Sequence, residues 1–168
     1  MTEKGFMNTL HYASPLILTG LAIAITFKAN LYNMGVEGQM LLGGFFAGIT
    51  GAYLNISNPF ISKLICFLVA IICGMLFALI PAILKAKCNV NEMVVTLMLN
   101  YAVSKTLEFF KPTGVFKDKS AGYVATPTIK EDVMFKRFGA SRMTMFFVIA
   151  MIILVIMYFV MKKIKTGI

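Results

Sequence analysis

Leu64-Ile-Cys-Phe-Leu-Val-Ala-Ile-Ile-Cys-Gly-Met-Leu-Phe-Ala-Leu-Ile-Pro-Ala-Ile-Leu84 is an unbroken apolar run held between Lys63 and Lys85. A helix that crosses a bilayer needs about 20 mostly apolar residues, within a range of roughly 17–25. Four further stretches approach the same pattern: about Tyr12–Phe27, about Gly38–Leu54, about Val90–Phe110, and Met143–Met161. In lipid there is no water to satisfy backbone N–H and C=O groups, so each continuous run closes its own hydrogen bonds as a helix. A membrane barrel would need alternating strands of about 10 residues, and these runs do not alternate. The expected fold is an all-α integral membrane protein with about five transmembrane helices, a single transmembrane domain over residues 1–168. Met1–Gly5 holds one Lys and one Glu and no basic leader, so the first helix is expected to insert the chain rather than be cleaved from it.

Composition points the same way. The chain is 59% hydrophobic and 14% charged, whereas soluble domains run at roughly 45–50% apolar and ~25% charged. A disordered chain needs low hydrophobicity and high charge, so that class is excluded, and a soluble enzyme is disfavoured. The net charge of +9 comes from residues placed between the apolar runs. They read as loops meeting anionic lipid headgroups, with no nucleic-acid face. Cys66, Cys73 and Cys88 form neither a CxxC pair nor a Cys/His cluster, so no metal site and no disulfide framework is expected. GxxxxGK[ST], HExxH, GxSxG and the deaminase signature are all missing from the sequence, so neither an enzyme nor a bound cofactor is expected.

Between the fourth and fifth runs lies a polar loop, Lys111–Arg142, with seven Lys/Arg, three acids, Pro112 and Pro127. A short helix is expected in it near Glu131–Phe138. Five crossings put the two ends of the chain on opposite sides. With Lys162, Lys163 and Lys165 in the cytoplasm, six cations lie inside and nine outside, the nine being Lys4, Lys63 and the seven of the loop. The bare positive-inside count favours the opposite orientation.

Some residues do not suit lipid. Asn30-Leu-Tyr-Asn-Met-Gly-Val-Glu-Gly-Gln39 carries Glu37, Asn33 and Gln39 beside Gly35 and Gly38. A charge at membrane depth costs at least ~2.5 kcal/mol. Two nearby glycines disfavour a regular helix. One reading is a helix interrupted near Gly35–Gly38, the device by which many transporters bind solute. The other is a turn that places Glu37 at a helix N-terminus, where the dipole favours it. Next come Gly44, Gly48 and Ala52 at intervals of four, with Gly43, Ala47 and Gly51 as the adjoining row; such rows let helices approach closely. In the fourth run, Glu92, Thr96, Asn100, Ser104 and Glu108 are also four apart. Each step turns 400°, so the stripe drifts by only about 40° per step and forms one polar seam. The seam reads either as the wall of a solute path or as hydrogen-bond glue between helices; Glu92 can also serve as a cap group, and Lys105 can neutralise Glu108.

Three stretches taken together resemble a known family. Ser14-Pro-Leu-Ile-Leu-Thr-Gly-Leu21, Asn30-Leu-Tyr-Asn-Met-Gly-Val-Glu-Gly-Gln-Met-Leu42 and Val90-Asn-Glu-Met-Val-Val-Thr-Leu-Met-Leu-Asn-Tyr101 are similar, in order and spacing, to the permease subunits of bacterial ABC importers. The nucleoside and simple-sugar branch resembles them most. The resemblance runs through nearly the whole chain and implies a multi-pass protein of the bacterial cytoplasmic membrane. It also implies a separate ATPase subunit that uses ATP, a second permease subunit, and an extracytoplasmic substrate-binding protein. It places the C-terminal Lys cluster in the cytoplasm and the loop 111–142 outside. Asn33, Glu37, Gln39, Asn91, Glu92, Thr96 and Asn100 are the expected substrate-path residues, and Gly44, Gly48 and Ala52 the expected helix-packing residues. Permeases of this group are roughly twice as long, begin with one more membrane helix, and continue into a segment that meets the ATPase. The chain is therefore expected to be half of a larger permease fold. Two other roles stay open: a truncated, non-functional remnant or membrane scaffold, and a secondary transporter with Glu37 and Glu92 as ion sites.

Overall fold

The computed structural model describes residues 3–56, 58–111, 116, 126–130, 133–134 and 145–166. The described residues form five α-helices: α1 (Glu3–Lys28), α2 (Val36–Tyr53), α3 (Pro59–Cys88), α4 (Glu92–Phe110) and α5 (Met145–Thr166). No strand occurs among them. Each helix overlaps one of the five apolar runs. The Lys111–Arg142 loop falls mostly outside the described residues. So does the helix expected near Glu131–Phe138, apart from Val133 and Met134; there the Val133 N–H closes a turn on the Lys130 carbonyl at 3.0 Å.

Among the described residues, three helices are long and apolar enough to cross a membrane: Gly5–Lys28, Pro59–Cys88 and Met145–Lys163. The other two, α2 and α4, are 18 and 19 residues long. At 1.5 Å per residue they reach about 27–29 Å, just under the ~30 Å of a hydrocarbon core. They are also the helices that carry the polar residues singled out above.

The chain divides into two compact units. In one, α1 packs with α5. Ser14 is buried on α1, where its hydroxyl donates to the Leu10 carbonyl at 3.0 Å, and Ala150 is fully buried on α5. Pro15 interrupts the hydrogen-bond ladder of α1, and Thr19 donates back to the Pro15 carbonyl at 3.0 Å.

In the other unit, α2 packs along α3 and against α4. Phe77 of α3 and Val103 and Leu107 of α4 form its buried centre, with Leu41, Leu42, Phe45 and Leu99 packed around them. The helix boundaries follow from local chemistry. Asn58 caps α3 by accepting the Phe60 N–H at 3.0 Å, and Pro59 opens the helix, where a missing N–H costs nothing. Asn89 ends α3 in the left-handed conformation at φ 49°, and Asn91 caps α4 two residues later by accepting the Met93 N–H at 3.0 Å.

The close approach of α2 to α3 falls on the Gly43 row. A Cβ at Gly43 would lie 2.9 Å from the Ala70 carbonyl oxygen, and one at Gly51 would lie 3.3 Å from the Cys66 sulfur. At the neighbouring row, an added Cβ at Gly44 or Gly48 would meet nothing within 4 Å among the described residues. Both rows have the same spacing, and only the position of α3 separates them.

Candidate functional site

The site lies where the irregular segment before α2 meets the polar face of α4. α1 ends at Lys28, Asn30 takes the left-handed conformation at φ 56°, and regular structure resumes at Val36. The break therefore covers residues 29–35 and ends earlier than the expected Gly35–Gly38; Gly38 is already helical. Glu37 sits in the first turn of α2, as the turn reading has it.

The start of α2 lacks a side-chain cap of its own. The first N–H groups of a helix have no partner within it and need one from elsewhere. Here α4 supplies it. Asn100 Oδ1 accepts the Gly38 N–H at 2.9 Å, while Asn100 Nδ2 donates to the Met34 carbonyl at 2.9 Å. One turn back, the Thr96 hydroxyl oxygen accepts the Met34 N–H at 3.2 Å and donates to the Glu92 carbonyl at 2.7 Å. One turn further back, Glu92 Oε1 accepts the Tyr32 N–H at 2.8 Å. Three side chains on one face of α4 thus hold the backbone of residues 32–38. Within the segment, Asn33 Oδ1 accepts the Gly35 N–H at 2.8 Å.

This ladder explains both glycines. A Cβ at Gly38 would lie 2.7 Å from Asn100 Oδ1 and 2.9 Å from Phe77 Cε1. One at Gly35 would lie 2.9 Å from Asn33 Oδ1 and 3.3 Å from the Thr96 Cβ. The ladder is dry at its far end: Thr96 is 2% exposed and Asn100 8%. Neutral hydrogen bonds there face little competition from water.

The expected path residues divide into two groups. Asn33, Thr96 and Asn100 spend their polar atoms on backbone, and Asn91 caps α4. Glu37 is exposed, and Gln39 Nε2 is buried with no hydrogen-bond partner among the described residues. Gln39 lies beside α3 at Gly74, where a Cβ would meet the Gln39 carbonyl oxygen at 3.9 Å and its Cβ at 4.0 Å, an ordinary contact. Glu92 does double duty. Besides holding Tyr32, it lines an open recess of about 370 Å³ with Tyr32, Lys85, Asn89, Asn91 and Met93. Of the rest of the seam, Ser104 is half-buried and Glu108 pairs on the surface with Lys105 at 2.9 Å. Among the described residues no group of His, Cys, Asp or Glu is arranged to hold a metal ion.

Sequence reasoning missed Lys85 as a wall of the recess, Phe77 as the ring behind Gly38, and the Met34 backbone as the partner of Asn100. Lys85 had a signal, since it is the first cation past the longest apolar run and lies seven residues before Glu92. The other two had none.

Residues 5–168 match the family described as the branched-chain amino acid transport system / permease component. The chain is 30% identical over 162 residues to the guanosine ABC transporter permease protein NupP of Bacillus subtilis, covering 95% of this chain and 46% of that protein. It is 42% identical over 105 residues to the glucose ABC transporter permease protein TsgB13 of Haloferax volcanii, covering 62% of this chain and 27% of that one. It is 36% identical over 104 residues to the nucleoside ABC transporter permease protein NupB of Lactococcus lactis, covering 60% and 28%. The chain spans less than half the length of each of these relatives. No solved structure matches it. Five helices, a polar seam between two of them, and a family match over nearly all of its length together make this chain a multi-pass membrane protein of the ABC transporter permease family.

Proposed function

We propose that this chain is the membrane-spanning permease part of an ATP-driven importer that moves nucleosides or simple sugars across a bacterial cytoplasmic membrane. The observation that carries the reading is the division of polar atoms at the α2–α4 seam. Asn33, Thr96 and Asn100 brace the backbone. That leaves the Gln39 amide, the Glu37 carboxylate and the recess bordered by Asn91 and Glu92 to meet a solute. An amide and carboxylates offer both donors and acceptors, which suits a neutral solute bearing several hydroxyl groups. The chain itself performs no chemistry in this reading and binds no cofactor. ATP is hydrolysed by a separate ATPase subunit, a second permease subunit completes the pore, and a binding protein delivers solute from outside. The Lys162–Lys163 end faces the cytoplasm.

The test is uptake of labelled guanosine and labelled glucose by cells carrying the complete importer. The expected result is accumulation of one of them that needs ATP and survives collapse of the proton gradient. Gln39→Leu is expected to weaken the apparent affinity about tenfold, the effect of losing one solute hydrogen bond in a buried site. Uptake driven by the proton gradient alone would make the chain a secondary transporter. No uptake with the ATPase present would make it a scaffold or remnant.

A further inference from the structure

The recess beside Glu92 is placed in the membrane by the length of α3. The apolar run of that helix, Leu64–Leu84, is bounded by Lys63 and Lys85. At 1.5 Å per residue the run is about 31 Å long, close to the ~30 Å of a hydrocarbon core. Lys63 and Lys85 therefore stand at the two membrane surfaces, and Lys85 lines the recess. The other walls come from the same level. Asn89 ends α3 at φ 49°, Asn91 and Glu92 open α4, and Tyr32 is tied to Glu92 through its N–H at 2.8 Å. Tyrosine is enriched at this depth, where its ring meets apolar chains and its hydroxyl meets headgroups. The recess thus opens among lipid headgroups rather than at the middle of the bilayer.

The recess also carries both signs of charge. Lys85 and Glu92 border one volume of about 370 Å³ together with two Asn amides and the Tyr32 phenol. A guest that is only anionic is drawn to Lys85 and repelled by Glu92, and a guest that is only cationic meets the reverse. A guest with a phosphate and a primary ammonium answers both. Its phosphate accepts from the Lys85 ammonium and the amides, and its ammonium donates to the Glu92 carboxylate. A quaternary ammonium has no N–H to donate. We infer that this recess binds the phosphoethanolamine headgroup of a membrane lipid, with Lys85 on the phosphate and Glu92 on the ammonium. Basic pockets between helices at a membrane surface hold lipid headgroups in this way. The inference goes beyond the transport reading and holds whether or not a solute also passes the recess; its test involves no transport.

The test is native mass spectrometry of the detergent-solubilised full chain with one lipid added at a time: phosphatidylethanolamine, phosphatidylglycerol or phosphatidylcholine, all with the same acyl chains. One phosphatidylethanolamine is expected to bind about tenfold more tightly than either of the others, as one charge-assisted hydrogen bond would give. Lys85→Gln is expected to weaken its binding about tenfold by the same reasoning. Glu92→Gln keeps an oxygen for the Tyr32 N–H and removes only the charge, so the preference for ethanolamine should vanish while the fold is kept. Lys87 is exposed two residues beyond Lys85 and does not line the recess, so Lys87→Gln should change nothing. Equal binding of the three lipids, an unchanged affinity in Lys85→Gln, a preference that survives Glu92→Gln, or an equal loss in Lys87→Gln would each overturn the site. Soluble phosphoethanolamine separates a lipid from a free phosphate compound. It should compete only weakly, because it brings no acyl chains to the apolar flank of α3. Competition on equal terms with the lipid would overturn the lipid assignment.

Discussion

The two ends of α2 are held by opposite kinds of interaction. At Gly38 the backbone is joined to α4 by neutral hydrogen bonds to side chains that water barely reaches, with Thr96 2% and Asn100 8% exposed. At Leu54, among the described residues, it is joined to the chain after α4 by the exposed Lys130, with Ile129 and Val133 over Gly51. A hydrogen bond in a dry site is costly to break, because both groups are left without any partner. A surface bond is exchanged for water at little net cost. The difference gives α2 one end bonded in a dry site and one end held at the surface.

The largest effect should come from breaking the dry end. Asn100→Leu keeps the volume and removes both partners, leaving the buried Gly38 N–H and the part-buried Met34 carbonyl unpaired. Each orphaned group costs about 1–3 kcal/mol, so a loss of about 3 kcal/mol or more is expected. A melt followed by a thiol-reactive dye would show it, with Cys66 and Cys73 reporting unfolding. Melting unchanged from the parent chain would mean that the two ends of α2 do not differ in kind.

Thr96→Val sharpens the comparison with a smaller change of nearly the same shape. It removes the acceptor for the Met34 N–H, whose bond at 3.2 Å is the longest rung of the ladder. About 1 kcal/mol of destabilisation is expected, the net worth of a typical hydrogen bond. If Thr96→Val cost as much as Asn100→Leu, the ladder would act as one unit, and a double-mutant cycle of the two would show the coupling directly.

How much of this was legible beforehand follows from particular residues. The helices could be read because length and apolarity are additive along the chain; Asn58-Pro59, Asn89 and Asn91 then mark their ends through their own chemistry. The polar face of α4 could also be read, since its spacing of four is a local property. Its destination could not. Nothing in Thr96 or Asn100 says that the partner is the backbone of Met34 and Gly38, some 60 residues earlier in sequence. Two continuous runs, about Gly38–Leu54 and Val90–Phe110, read as crossings, yet α2 and α4 fall below the three helices apolar enough to span a membrane unaided. Thr96 and Asn100 of α4 satisfy backbone groups at and just before the start of α2, which apolarity alone does not register. The contacts at the other end of α2 were invisible for the opposite reason. Ile129, Lys130 and Val133 are ordinary loop residues until Gly51 and Leu54 are placed beneath them.

The smallest expected effect concerns the glycine rows of α2, and it has the opposite sign. Glycine within a helix costs about 0.5–1 kcal/mol relative to alanine. At Gly43 that cost has a reason, because a methyl group would press on the Ala70 carbonyl at 2.9 Å and part α2 from α3. At Gly44 a methyl group would meet nothing within 4 Å among the described residues. Gly44→Ala should therefore raise the stability of the solubilised chain by about 0.5–1 kcal/mol in the same dye melt. The informative comparison is with the complete importer. If Gly44→Ala stabilises the chain alone yet destabilises the assembly, the open row is a docking face that the rest of the permease covers. Its identical spacing to the Gly43 row would then reflect two helix contacts made on adjoining faces, one to α3 and one to a partner. If the gain persists in the assembly, the row faces lipid, and only one side of α2 is built for close packing.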